Sequence, residues 1–322
     1  MAPLPHGIYP YLVSPVDERG RVDEGVIERL VEALIAAGVD GLTPLGSTGE
    51  VMYLTAAQRR TIVATTIRAA AGRVPVVPGI AAFATSDAVD QAREMEQLGA
   101  SGLVVMRQNA FATSEEGILA YFSEVARAVS VPIVLYTNPA LLGSDFSVEN
   151  LVQLSSIDNI RYIKDATSDT GRILSLTNRL GGRMEVFSAS AHIPAFVFML
   201  GGVGWMAGPA CVIPEAAREL YRRVQAGDTA GALDLQRRLW PVNEAFRRYP
   251  LGACIKTALE LRGFAVGGPI APQRPLPAAA REEIRAALAT ADAAVAYGAS
   301  AGRGAPPRRR TAAARSQRST VR

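Results

Sequence analysis

The sequence predicts an α/β chain folded as a (β/α)8 barrel with a C-terminal helical extension. Three observations carry that expectation. Short apolar runs alternate without a break with amphipathic helices from residue 8 to about residue 213, the pattern of parallel strands joined by crossover helices. The motif Gly-x-x-Gly-apolar recurs at Gly38 to Leu42, Gly99 to Leu103 and Gly201 to Trp205, each time where a helix ends and a strand begins, and where the positive φ open to glycine stops a helix. After Pro214 the strands cease and the chain reads as helical to about Ala296. Eight strand–helix units in roughly 210 residues suit a closed barrel. An open doubly wound sheet is the competitor, and it loses support because no Gly-x-Gly-x-x-Gly follows the first strand.

The units follow in order. Residues 8–14 read as a strand, and Val26, Leu30, Val31 and Leu34 then recur at helical spacing up to Gly38. Residues 42–45 are the second strand and run into Gly46-Ser47-Thr48-Gly49-Glu50. A helix over about 56–71, a strand over 74–80 and a helix from about Ser86, with Val89, Ala92, Met95 and Leu98 on one face, come next. Residues 102–106 are the fourth strand. Ser114 then opens a helix as a cap, with Glu115 and Glu116 placed favourably toward its dipole. Strands over 132–138, 160–166, 184–188 and 203–207 alternate with helices over 147–155, 170–180 and 193–200. The uncharged stretch 191–214 has the length of a membrane span, but Gly201, Gly202, Gly204, Gly208 and Pro209 divide it into a buried helix, turn and strand. The chain thus reads as a barrel over 1–213, a helical extension over 214–296 interrupted at Pro250 and 269–277, and a disordered basic tail over 297–322.

Charge excludes one large class of function. The formal net charge is +4, but seven arginines and no acid lie beyond Tyr297, so without those seven the body carries −3. Nucleic-acid recognition needs basic side chains on a shaped surface, and a mildly acidic body does not supply one. Cys211 and Cys254 are too few for a disulfide framework and fit a reducing cytoplasmic compartment. His6 and His192 without a cysteine cluster make no zinc site, and the N-terminus has no signal pattern. No cofactor, metal or membrane partner is expected.

The chemistry is expected at the carboxyl ends of the strands, which a barrel gathers on one face. Ile160-Arg161-Tyr162-Ile163-Lys164-Asp165-Ala166 stands out, because lysine is poorly tolerated in a buried strand. An ammonium removed from water loses its proton more easily and becomes a nucleophile able to condense with a ketone. A lysine snorkelling at a strand end is the plainer alternative. The same rim receives Ser47, Thr48 and Gly49 from the glycine turn, whose N–H groups and hydroxyls suit a small carboxylate, with an ordinary capped βα turn as the plainer reading of that motif alone. It also receives Tyr136 and Asn138 from the 132–138 strand, Arg107 after the fourth, Ser190 after the seventh and Met206 on the eighth. Tyr136 suits general acid/base work if its surroundings tune the phenol; a rim aromatic with a satisfied hydroxyl is its other reading.

Gly46-Ser47-Thr48-Gly49-Glu50, Leu135-Tyr136-Thr137-Asn138-Pro139 and Tyr162-Ile163-Lys164-Asp165-Ala166, in this order and spacing, resemble the dihydrodipicolinate synthase/N-acetylneuraminate lyase family over roughly residues 6–295. The resemblance implies a (β/α)8 barrel, a homotetramer built as a dimer of dimers, and a Schiff base between Lys164 and pyruvate or another 2-oxo acid. Tyr136 would be the general acid/base, and Ser47 and Thr48 the hydroxyls that hold the keto acid's carboxylate and relay protons. Two positions depart from the synthases. Arg107-Gln108-Asn109-Ala110-Phe111 replaces the Tyr-Tyr pair whose second ring enters the neighbouring subunit's site, and Ala140-Leu141-Leu142-Gly143 lacks the arginine for the second substrate's carboxylate. Losing a buried charge-assisted bond costs on the order of 2–5 kcal/mol. The expectation is therefore a Schiff-base lyase, aldolase or dehydratase other than dihydrodipicolinate synthase. Its second substrate, an aldehyde or sugar acid, would be selected by Arg107, Asn109, Phe111, Asn138, Leu141, Ser190 and His192. A non-catalytic 2-oxo-acid-binding barrel is the alternative from another class.

Overall fold

The structure is a computed structural model that describes residues 2–139, 146–167, 169–189 and 193–301, the side chains as far as residue 294. Seven parallel strands form one curled sheet: β1 (Gly7–Pro10), β2 (Gly79–Ala82), β3 (Leu103–Arg107), β4 (Ile133–Thr137), β5 (Ile160–Asp165), β6 (Glu185–Ser188) and β7 (Gly204–Ala207). Their order is β1-β7-β6-β5-β4-β3-β2, so β1 and β2 are the two ends of the ladder.

The expected strand at 42–45 fills the gap between those ends without forming a ladder of its own. Thr43 bridges Tyr11, and Leu42 bridges Val76. Leu12 N donates to Thr43 O at 3.0 Å on one side, and Val77 N donates to Leu42 O at 2.8 Å on the other. Pro44 has no N–H to donate, and Leu45 turns into the left-handed region at φ 61°, so regular pairing stops after two residues. The third strand starts later than expected for a like reason: Pro75 and Pro78 interrupt its donors, and its ladder begins at Gly79. Counted with the 42–44 segment, the barrel has its eight members.

The helices lie outside: α1 (Glu24–Ala36), α2 (Ala56–Ala70), α3 (Thr85–Gln97), α4 (Glu115–Ala128), α5 (Val148–Leu154), α6 (Thr170–Leu180), α7 (Pro194–Met199) and α8 (Pro214–Gln225). Local chemistry sets their starts. Ser114 Oγ accepts from Gly117 N and caps α4, Ser147 caps α5 in the same way, and Thr55 and Gln58 form a reciprocal capping box on α2. In the three Gly-x-x-Gly repeats the first glycine has positive φ, 80° at Gly38 and 96° at both Gly99 and Gly201. The second is glycine for a different reason. A Cβ on Gly41 would lie 2.0 Å from the Tyr9 ring, and one on Gly204 would lie 2.1 Å from Gly7 O.

Beyond the barrel, α9 (Thr229–Arg247), α10 (Leu251–Leu261) and α11 (Ala278–Ala301) pack back against α8 and one another. The 191–214 stretch resolves into α7 and β7, and among the described residues no helix is long and apolar enough to cross a membrane.

Register sorts the strand side chains into two faces. Tyr136, Lys164 and Phe187 are paired across β4, β5 and β6 and share the interior with Tyr9 and Tyr162, whose rings meet Phe187 at 5.4 and 5.6 Å. Thr137, Asp165 and Ser188 form the next register row and face the helices. The interior is thus packed with aromatic rings, and one amine stands on top of them.

Candidate active site

Lys164 sits near the carboxyl end of β5 and is 3% exposed. Its Nζ is 3.9 Å from the centroid of the Tyr136 ring and 3.9 Å from that of the Tyr11 ring. Asp165, its neighbour in sequence, does not neutralise it. That carboxylate points to the other face of the sheet, where it accepts from Arg172 Nε at 2.8 Å and from Thr167 Oγ1 at 2.6 Å. Burial, with no carboxylate of the described residues beside it, brings the Lys164 ammonium down from 10.5 to about 7, so the free amine is abundant at neutral pH. The two ring faces favour the cation and offset a part of that burial cost.

Tyr136, on β4, is 3% exposed. Its hydroxyl accepts from Asn138 Nδ2 at 2.9 Å and hydrogen-bonds the Ser47 side chain. Burial raises its pKa, and the Asn138 and Ser47 bonds pull it back. Lys164, Tyr136, Asn138 and Ser47, four of the residues singled out in the sequence, therefore meet in one cluster.

Thr48 belongs to the same turn and is buried, facing the end of β7: a Cβ on Gly208 would lie 2.7 Å from its Oγ1. Met206 is fully buried and registers with Tyr9, which places it on the interior face of the barrel. Gly49 turns its carbonyl to Ser14 Oγ at 2.6 Å. The turn's glycines have a reason that the sequence did not reveal. A Cβ on Gly46 would lie 1.9 Å from the Tyr11 ring, and one on Gly49 would lie 2.9 Å from Leu12 O; both glycines make room for the first strand and its continuation rather than for a ligand.

Arg107 stands apart from this cluster. Its register row is that of Thr137 and Asp165, on the helix side. There its guanidinium donates to Asn109 Oδ1 and Thr113 Oγ1, both at 3.1 Å, and lies close enough to Tyr121 on α4 to pull that phenol's pKa down against burial. Asn109 is thereby tied to Arg107, and Phe111 on the same loop is 85% exposed. Ser190, His192 and Leu141 lie outside the described residues. Among the described residues no three His, Cys, Asp or Glu side chains come together as a metal site.

Two parts of the site escaped sequence reading. Tyr11 is one; an aromatic in a first strand reads as core, and only the alternation of Tyr9 and Tyr11 hinted that both rings face inward. The other lies under the glycine turn. Glu50 holds φ 54°, a left-handed conformation that costs a non-glycine residue on the order of 1–3 kcal/mol. Its fully buried carboxylate accepts from Ile270 N at 2.7 Å and pairs with Lys256 Nζ of α10 at 2.7 Å. Lys256 also donates to Gly268 O at 2.8 Å. The helical extension thus clamps the turn that carries Ser47 and Thr48.

A model of the dihydrodipicolinate synthetase family matches residues 4–291. The chain belongs to that family. The 4-hydroxy-tetrahydrodipicolinate synthase of Acidiphilium cryptum is 34% identical over 283 residues, covering 88% of this chain and 97% of the relative. That of Phenylobacterium zucineum is 35% identical over 286 residues, covering 89% and 97%. Among solved structures, the dihydrodipicolinate synthase of Agrobacterium tumefaciens superposes with a TM-score of 0.84 at 30% identity over 89% of this chain and 98% of that one. The Acinetobacter baumannii synthase complexed with pyruvate gives 0.86 at 29% over 90% and 99%. A dihydrodipicolinic acid synthase family prophage protein of E. coli K12, also in complex with pyruvate, gives 0.84 at 28% over 89% and 98%. Members of the dihydrodipicolinate synthetase family are class I aldolases and lyases, and this chain is an enzyme of that class with the family's barrel fold.

Proposed function

We propose that the protein is a Schiff-base lyase or aldolase acting on pyruvate or a related 2-oxo acid. The observation that carries this reading is the buried Lys164 amine, unpaired with any carboxylate among the described residues, beside the Tyr136 phenol. The neutral Nζ attacks C2 of the keto acid while the carbonyl electron pair moves to oxygen. Proton transfer through Tyr136 turns that oxygen into a leaving water, and the C2–N double bond forms. The protonated imine then draws electrons from C3, so a bond at C3 breaks or forms with the nitrogen as sink. Ser47, hydrogen-bonded to Tyr136, relays the proton, and Thr48 with the N–H groups of the glycine turn holds the carboxylate. Pyruvate in two structural relatives supports the choice of keto acid.

The second substrate in this reading is an aldehyde or a 2-keto-3-deoxy sugar acid rather than aspartate semialdehyde. The motif Ala140-Leu141-Leu142-Gly143 offers no cation to a second carboxylate, and the described bonds of Arg107 hold its own loop. A homotetramer suits the exposed Phe83 and Phe111 on the loops after β2 and β3, apolar surface that a second subunit would cover.

Borohydride reduction in the presence of pyruvate, followed by peptide mass analysis, tests the proposal. An adduct on Lys164 is expected. Unmodified protein that still binds pyruvate would favour a barrel that binds keto acids without turning them over, a reading suggested by the loop Arg107 to Phe111 in place of the relay tyrosines. Robust condensation of pyruvate with aspartate semialdehyde would overturn the choice of second substrate, and turnover of deoxy-keto sugar acids and ylidene-pyruvates separates aldolase from dehydratase.

A further inference from the structure

The Lys164 site holds two tyrosines, and they are not equivalent. The Tyr136 hydroxyl is engaged by Asn138 and Ser47. The Tyr11 hydroxyl is completely buried and has no hydrogen-bond partner among the described residues. An orphaned buried hydroxyl is costly in a folded protein, and a phenylalanine would fill the same space without that cost. Tyr11 is also held in place with care. Its ring presses on Gly46, where no side chain could stand, and its strand bridges Thr43 beside the glycine turn.

We infer that Tyr11 is a further substrate-contacting residue, its hydroxyl donating a hydrogen bond to the C2 oxygen of the 2-oxo acid as Lys164 adds to it. The inference rests on the Schiff-base reading and deepens it. A substituent on the carbon bonded to Nζ lies two bonds from that nitrogen, so the hydroxyl of a ring centred 3.9 Å from Nζ falls within reach of it. In that reading the carboxylate already has the Ser47–Thr48 turn, which leaves the C2 oxygen, to which Tyr136 passes the proton, as the group a second donor would serve. That oxygen gains negative charge as the amine attacks and must leave as water when the carbinolamine collapses. A neutral donor aimed at developing charge in a water-poor site is the arrangement that lowers such a barrier. Burial and the neighbouring Tyr136 push the Tyr11 pKa well up, so the phenol stays protonated and donates a hydrogen bond, while the transferred proton moves through Tyr136.

Tyr11→Phe removes one oxygen and keeps the ring on Gly46. We expect the rate of borohydride trapping with pyruvate at pH 7 to fall about ten- to hundredfold and kcat of the full reaction to fall with it, while KM changes by less than about twofold. The trapping rate should keep its pH midpoint, because the lysine's surroundings are otherwise unchanged. Thermal stability should stay level or rise by about 2–4 °C, which an oxygen with a merely structural role would not allow. The wild-type enzyme is trapped first. If it forms no adduct at Lys164, the Schiff-base reading fails and takes this inference with it. If the wild type is trapped and Tyr11→Phe is trapped at the same rate with the same kcat, the inference alone is overturned. A rise confined to KM would move the hydroxyl to the carboxylate and overturn its assignment to the C2 oxygen.

Discussion

Two lysines of this protein are almost equally buried, Lys164 at 3% and Lys256 at 1% exposure, and they have opposite roles. Burial lowers the pKa of both. At Lys164 no carboxylate among the described residues resists it, and the amine comes down to about 7. At Lys256 the Glu50 carboxylate 2.7 Å away opposes it by charge and by hydrogen bonding, and the Gly268 carbonyl accepts a further hydrogen bond from the ammonium. The paired lysine holds a strained turn to a helix, and the one with no carboxylate beside it among the described residues is the nucleophile of the proposed function. In the proposed function, what separates a structural lysine from a nucleophile is the placement of a single counter-ion, since depth below the surface is shared.

The comparison breaks most visibly at Lys164. Replacing it with methionine should abolish the pyruvate adduct and lower turnover by at least about four orders of magnitude. The same variant should melt several degrees higher, because an amine that resists charging is costly to bury. Activity assays with calorimetry on one preparation check both halves.

Lys256→Met should act in the opposite sense. It strands the Glu50 carboxylate, so the protein should lose about 3–5 kcal/mol of stability in denaturant melts. Combining it with Glu50→Gln should recover much of that loss, and a double-mutant cycle measures the coupling. Equal destabilisation by both lysine variants would erase the distinction drawn between them.

Tyr136→Phe sharpens the site's half of the comparison. It should reduce kcat about 10²- to 10⁴-fold while borohydride still traps the Lys164 imine, only more slowly. Retained kcat would pass the acid/base role to another group.

Smaller in amplitude is the pH response. With its amine at about 7, the trapping rate of Lys164 should rise about tenfold with each pH unit up to that value and level off above pH 8. The folded pKa lies below the ordinary 10.5, so between about pH 7 and 10.5 the unfolded chain binds more protons at this residue than the folded one. Stability from this group therefore rises with pH through that window, and the Lys164→Met variant should lack that slope. A trapping profile centred near pH 10 would show an amine that is not desolvated.

Much of this was legible before any coordinates. The helix at 170–180 was expected at the bounds it takes, as was the cap of α4 at Ser114, because caps and 3.6-residue spacing are local. Lys164 was legible because a charged residue in an apolar strand is an anomaly that chemistry can explain. The segment at 42–45 was read as an ordinary strand, since its apolar run does not show that Pro44 and a left-handed Leu45 cut the ladder short. The direction of Arg107 was hidden: strand alternation gives two faces, and only the register with Asp165 tells which one meets the helices. Tyr11 was hidden among core aromatics. Glu50 and Lys256 were hidden by distance, since no local pattern links residues so far apart.

The sequence by itself determined the alternation of strands and helices, the turns that end them and the residue able to act as nucleophile, because these follow from neighbours along the chain. Only the tertiary structure decided which lysine has a counter-ion, because that depends on which side chains the closed barrel brings together: among the described residues a carboxylate stands beside Lys256 and none beside Lys164.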